Sequence, residues 1–126
     1  MSLEVAIKTF LSGKTALTNL VSTRIYYSTV PQTPTYPAVS FFRVSNIRQH
    51  ELDVGSVYYQ FDCWAMTFIQ GVEIAKQIRL ALQREKSVMS GVPIIQGVYL
   101  NETDIYESDT KIFHTILEMK IIYRES

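Results

Sequence analysis

Between Ser56 and Met66 the chain alternates more clearly than anywhere else in its strand-like middle. Val57, Tyr59, Phe61, Cys63 and Ala65 fall on one side, and Ser56, Tyr58, Gln60, Asp62, Trp64 and Met66 fall on the other. Successive side chains of a strand point to opposite faces, so this run predicts a long strand with one face in a core and a mixed second face. Such a strand needs sheet neighbours and a covering layer. The Val-, Phe- and Ser-rich stretch from Ala38 to Ile47 supplies the first neighbour. Gln49-His50-Glu51-Leu52-Asp53-Val54-Gly55 is short enough to join the two as a long antiparallel hairpin.

The covering layer is legible as helix. Leu3, Ile7, Phe10 and Leu11 recur at helical spacing behind Ser2 as N-cap and Glu4 in the first turn, and Gly13 interrupts the pattern before a further turn or two through Leu17, Leu20 and Val21. The strongest helix is expected over Ile69–Lys86, with Val72, Ala75, Ile78, Ala81 and Leu82 as its apolar stripe. Thr67 and Gln70 have the spacing of a capping box, Arg84 and Lys86 suit the C-terminal end, and Gly91 and Pro93 close the segment. Arg24-Ile25-Tyr26-Tyr27 reads as a brief strand, and Pro31, Pro34 and Pro37 as an extended loop. Two last strands are expected near Ile94–Ile105 and Lys111–Tyr123; in the latter, Phe113, Leu117, Met119, Ile121 and Tyr123 share one face, and His114, Glu118 and Lys120 the wetter one. The expected architecture is one α+β domain over residues 1–126, ordered α-β-β-β-α-β-β, with two helices on one face of a mainly antiparallel sheet of about five strands.

Composition sets the limits of function. A chain of 126 residues suits one domain, and surface scaling leaves it roughly 7,000 Å² accessible when folded, so about two-thirds of its surface is buried without disulfides or metal. Twelve Lys and Arg balance twelve Asp and Glu, which counts against tight binding to nucleic acid through phosphate neutralisation. No window approaches 18 consecutive apolar residues, the first residues lack the basic and apolar regions of a signal peptide, and the single cysteine, Cys63, permits no internal disulfide. The expectation is a chain made and used, or assembled, in a reducing cytoplasm.

Cys63 and His114 are the candidate nucleophile and base. Cys63 lies mid-strand among apolar neighbours, without the helix N-terminus or Gly-rich elbow that activates a thiol, so core packing is the reading adopted. His50, beside Glu51 and Asp53, has no metal-ligand spacing behind it. The acidic run Glu102, Asp104, Glu107, Asp109 lacks the central Gly of a calcium loop and reads as a solvated hairpin turn. Ser12-Gly13-Lys14-Thr15 ends like a P-loop but has Lys8 where the first Gly belongs and follows a helix rather than a strand. The residues therefore imply no cofactor, no metal and no catalytic site.

Aromatics are abundant: eight Tyr, six Phe and one Trp. The pairs Tyr26-Tyr27, Phe41-Phe42 and Tyr58-Tyr59 put one ring on each face of their strands, and Arg43 alone interleaves with them as a nucleic-acid platform would require. The outward rings fit contact with another protein or a second copy, and core packing in a two-sided sheet is the alternative.

These features in order resemble the tail completion, or tail-terminator, proteins of long-tailed bacteriophages and prophages. The resemblance covers nearly the whole chain. It is carried by Leu17-Thr18-Asn19-Leu20-Val21, Arg24-Ile25-Tyr26-Tyr27, Val30-Pro31-Gln32, Tyr36-Pro37-Ala38-Val39 and Tyr59-Gln60-Phe61-Asp62-Cys63-Trp64-Ala65, with a helix running to Ala81-Leu82. It implies a non-enzymatic virion tail protein, assembled in the host bacterial cytoplasm into a ring, typically of six copies, that caps the tail tube and joins it to the head. The implied partners are further copies, the tail tube protein and head-tail connector proteins, with DNA passing through unheld. A closed ring meets itself through two different patches. The candidate patches are Tyr58, Trp64 and Met66 on the outer sheet face and Val30, Pro31, Tyr36 and Pro37 in the Pro-rich segment. His50, Glu51 and Asp53, and Glu102, Asp104, Glu107 and Asp109, are candidate lumen or docking loops. The rival readings are another head-tail connector component and a small cytoplasmic enzyme built on Cys63 and His114.

Overall fold

The structure, a computed structural model, describes residues 2–28, 30–32, 35–49 and 53–124. Ser2 Oγ accepts the Val5 N–H at 3.2 Å and starts α1 (Leu3–Ser12), which buries Leu3, Ala6, Ile7 and Leu11. Gly13 closes α1, and a separate α2 (Thr15–Val21) buries Leu17 and Val21. Thr67 Oγ1 accepts the Gln70 N–H at 3.2 Å and Gln70 Oε1 accepts the Met66 N–H at 3.0 Å, a reciprocal cap that opens α3 (Phe68–Leu82). The buried stripe of α3 is Gly71, Ile74, Ala75, Ile78 and Leu82, rotated from the expected one so that Val72 and Ala81 lie at its margin. At Gly71 a Cβ would stand 2.9 Å from Thr115 Oγ1, so the missing side chain lets α3 seat closely on the sheet.

The strands are β1 (Ile25–Tyr27), β2 (Ala38–Gln49), β3 (Val54–Ala65), β4 (Ser87–Met89), β5 (Val92–Glu107) and β6 (Ile112–Arg124). They form one sheet in the order β1-β2-β3-β6-β5-β4, antiparallel except for the parallel pair β1-β2. The alternating run behaves as its pattern demands. Val57, Tyr59, Phe61, Cys63 and Ala65 are buried, and Leu117, Met119, Ile121 and Tyr123 of β6 join them in a core closed by the three helices. The chain leaves 7074 Å² accessible, in line with the surface scaling for its size.

The architecture is α+β with helices on one face, but it differs in detail from the expectation of two helices and about five mainly antiparallel strands. Among the described residues there are three helices and six strands in a mixed sheet. The extra helix arises because Gly13 breaks one pattern into two. The parallel pair arises because β2 begins beside the start of β1, Ile25 opposite Val39 and Tyr27 opposite Phe41, an arrangement that no hairpin gives. The extra strand arises because α3 stops at Leu82 rather than Lys86. Gln83 is extended, Arg84 takes φ 61°, and its N–H donates to the Gly97 carbonyl at 2.8 Å. Residues 87–89 then pair with β5 across a two-residue turn, Ser90 and Gly91, whose φ values of 46° and 85° suit a type I′ hairpin.

The register slips at three places, between Arg43 and Ser45 in β2, and between Ile94 and Gln96 and between Tyr99 and Asn101 in β5. Each slip is a bulge with one unpaired residue, and those residues are Val44, Ile95 and Leu100.

Candidate functional site

The sheet keeps the two catalytic candidates apart. Cys63 is paired in register with Thr115, and Trp64 with His114, so Cys63 and His114 stand on opposite faces of neighbouring strands. Cys63 is wholly buried; burial pushes its thiol well above the ordinary value, and the nearby Asp62 and Glu102 charges add to that shift. It is a core side chain with its nucleophilic form disfavoured.

His114 stands on the face away from the helices, yet it is buried. The Trp64 indole stacks on its ring at 3.9 Å between centroids and 15° between planes, which shields it from solvent. Its Nε2 lies 2.9 Å from Asp62 Oδ1, in close contact but without the alignment of a hydrogen bond, and its Nδ1 lies 3.5 Å from Glu107 Oε1. Gln60 Nε2 donates to Asp62 Oδ1 at 2.9 Å, and Trp64 Nε1 donates to Ser40 Oγ at 3.0 Å. Four strands are stitched together here by a polar cluster that includes no nucleophilic thiol.

The acidic run is mostly strand rather than turn. Glu102 and Asp104 lie in β5 on the helix-bearing face, where Glu102 Oε1 is 3.9 Å from Arg79 Nε and Asp104 Oδ1 accepts the Thr115 hydroxyl at 2.9 Å. Glu107 ends β5 beside His114, and only Asp109 stands in the turn. Asp53 is exposed at φ 51° before β3, while His50 and Glu51 lie outside the described residues. Among the described residues no group of His, Cys, Asp and Glu is placed to hold a metal ion, and no helix is long and apolar enough to cross a membrane.

Aromatic pairs divide between the faces. Phe41, Tyr59 and Phe61 pack in the core, Phe41 and Phe61 stacked at 5.2 Å, while Phe42 and Tyr58 face outward and are half-buried. The Tyr59 hydroxyl donates to Glu4 Oε2 at 2.6 Å and ties α1 to β3; burial, then that bond, raise the phenol above its ordinary range. In the Pro-rich segment Val30, Tyr36 and Pro37 are half-buried and Pro31 is exposed, and Arg24 Nε donates to the Pro37 carbonyl at 2.8 Å. Of the outer-face candidates, Met66 is exposed, Trp64 is committed to His114, and Tyr58 lines a groove.

That groove, about 260 Å³, lies on the helix-free face and is walled by Val44, Ser45, Ile47, Tyr58, Leu100 and Glu118. Val44, Ile47 and Leu100 are 58%, 57% and 42% exposed, a concentration of bare apolar side chains that sequence reading missed. Two of the three are bulge residues, and a bulge shifts the alternation from which a face is read. A second cleft, about 520 Å³, opens where α1 begins and is lined by Arg43, Arg48 and Arg124 with Glu4, Asn46 and Tyr123.

A family sequence model described as Tail completion protein gp17 matches residues 5–124. No curated protein matches the chain. Among solved structures, a chain of "Virion of native gene transfer agent (GTA) particle" has a similar fold, with a TM-score of 0.82 at 17% identity, covering 98% of this chain and 96% of that one.

Proposed function

The chain belongs to the tail completion protein gp17 family, and from that premise we propose that it is a ring-forming, non-enzymatic tail component that caps the tail tube and mediates head-tail joining. The observation that carries this reading is the family match across residues 5–124, nearly the whole of a fold shared with a virion chain. The bare apolar groove between β2, β3, β6 and β5 supports it, because contiguous exposed apolar side chains fit a surface that other subunits cover.

In this reading the partners are further copies, the tail tube protein and head-tail connector proteins, met in the host cytoplasm during assembly. Tyr58 and Met66 contribute to subunit contact from the sheet face, with Val30, Pro31, Tyr36 and Pro37 at its margin; Trp64 acts from beneath by fixing the polar cluster. Asp53, exposed before β3, and the turn through Asp109 are the parts offered to the lumen or a neighbouring ring. Zero net charge lets such a ring surround DNA without gripping it.

Light scattering after size-exclusion chromatography, with negative-stain imaging, tests ring formation. Deletion of the gene tests the role: the expected particles are unjoined heads and tails of unregulated length, rescued by the intact chain. Normal joined particles from the deletion would refute the assignment.

A further inference from the structure

The long strands β2 and β5 bound the centre of the sheet, and each is only partly covered. β1 pairs with β2 at Val39–Phe41, and β4 pairs with β5 at Val92–Ile94. Beyond these, and beyond the Gly97 carbonyl that accepts from Arg84, Phe42–Gln49 of β2 and Val98–Glu107 of β5 have no strand on their outer margin among the described residues. About half of the backbone N–H and C=O groups of an edge strand point away from its single partner, so each stretch is a template for pairing.

The two margins complement each other face by face. Arg43 pairs with Tyr59 and Arg48 with Gly55, while Glu102 pairs with Leu117 and Asp104 with Thr115, which places all four charges on the helix-bearing face. Cations stand along one margin and carboxylates along the other. On the helix-free face Val44 and Ile47 of β2, and Leu100 and Ile105 of β5, are between 42% and 58% exposed.

We propose that these margins pair antiparallel between neighbouring copies, Phe42–Gln49 of one chain against Val98–Glu107 of the next, joining the subunit sheets into one continuous closed sheet. This deepens, and rests on, the ring reading above. Because the two margins are different surfaces, the contact is heterologous, as ring closure requires. Register bears on closure as well. Ser45 pairs with Tyr58, Tyr58 with Lys120, and Lys120 with Val98, so Ser45 and Val98 stand level in one subunit. The middle of the free β5 stretch, Glu102 and Thr103, is level with Leu117 and Ile116, three to four residues nearer the start of β6 than Lys120. Matching the two middles staggers neighbours by that amount over four long strands, about one residue per strand, the ratio of a closed barrel with strands tilted by about 36°. At this stagger β1 and β4 lie beyond the ends of the shared stretch and obstruct nothing.

Charge reversal tests the pairing. The variants Arg43→Glu with Arg48→Glu, and Glu102→Lys with Asp104→Lys, are each expected to raise the concentration for half-assembly at least about tenfold. An equimolar mixture of the two restores complementarity at every contact and is expected to assemble like the parent. Independently, Ser45→Cys with Thr103→Cys, both on the helix-free face at the two middles, is expected to give a ladder of disulfide-linked chains on oxidation, absent from either single variant. Rings indifferent to the reversals, reversed variants that fold but whose mixture does not assemble, or assembled double-cysteine chains without a ladder would each overturn the pairing. A parent chain that remains monomeric with and without tail tubes would instead refute the ring reading and take this inference with it.

Discussion

Gly97→Ala is expected to be the most damaging small substitution in the chain, although it adds a single methyl group. Gly97 faces the last turn of α3, and a Cβ there would overlap the Leu82 carbonyl oxygen. The obstruction is backbone on both sides. Gly97 is held by the Arg84 N–H at 2.8 Å and by the β5–β6 ladder, and the Leu82 side chain is fully buried, so relief requires the end of α3 to move off the sheet. Overpacking of a rigid site costs about 1–3 kcal/mol, and partial withdrawal of the Leu82 side chain adds about 1 kcal/mol more. The expected total is about 2–4 kcal/mol, or a Tm lower by about 8–16 °C at roughly 4 °C per kcal/mol for a domain of this length. Two controls share the chemistry but not the obstruction. At Gly91, φ 85° with nothing within 4 Å, alanine meets backbone strain alone, about 1 kcal/mol. At Gly13, φ −86° with no contact under 3.5 Å, alanine is expected to be neutral or to stabilise by about 0.5 kcal/mol. Urea and thermal unfolding of the three variants measure the order. A Gly97→Ala loss no larger than that of Gly91→Ala would refute the close docking of α3 on β5.

Tyr59→Phe removes the hydroxyl that donates to Glu4 at 2.6 Å and is expected to destabilise by about 1–3 kcal/mol in urea unfolding. Both Tyr59 and Cys63 are held protonated in the folded chain, so the unfolded state loses their protons first as pH rises. Stability is therefore fully present below about pH 9 and falls above it, by up to about 1.4 kcal/mol per pH unit for each group, with Tyr59→Phe flattening the part above about pH 10. A flat profile to pH 10.5 would contradict the burial of both groups. Cys63 is expected to resist a thiol reagent at neutral pH until urea unfolds the chain, when one thiol reacts; rapid modification of the folded protein would show the core to be open. Val44→Ser with Leu100→Ser is expected to leave folding stability within about 0.5 kcal/mol per site while abolishing higher-order assembly, since both side chains lie outside the core, 58% and 42% exposed; a large Tm loss would reassign them to the core.

The parts of the fold that sequence reading reaches are those governed by local pattern. The alternation through Val57, Tyr59, Phe61, Cys63 and Ala65 and the capped start of α3 depend on neighbours in the chain, and they were legible. What escapes depends on partners far away. β4 has only three residues and exists because the Ser90-Gly91 turn returns the chain to β5. The end of α3 is set by Gly97, fourteen residues beyond Gln83, where the chain leaves the helix. His114 sits on the face that the pattern marks as wet, and only the cross-strand position of Trp64 explains its burial. The apolar groove was least legible, because bulges at Val44 and Leu100 break the two-residue period from which a face is read.

The position of Trp64 also gives the chain an internal optical gauge. It is the single indole; its N–H is held by Ser40 of β2, its backbone belongs to β3, and its ring lies flat on His114 of β6. Its fluorescence thus reports on the alignment of three strands at once, without a label. A one-residue slip of β6 against β3 would move the imidazole to the opposite face and strip the indole of its cover, so the emission distinguishes a correctly threaded sheet from a merely collapsed one.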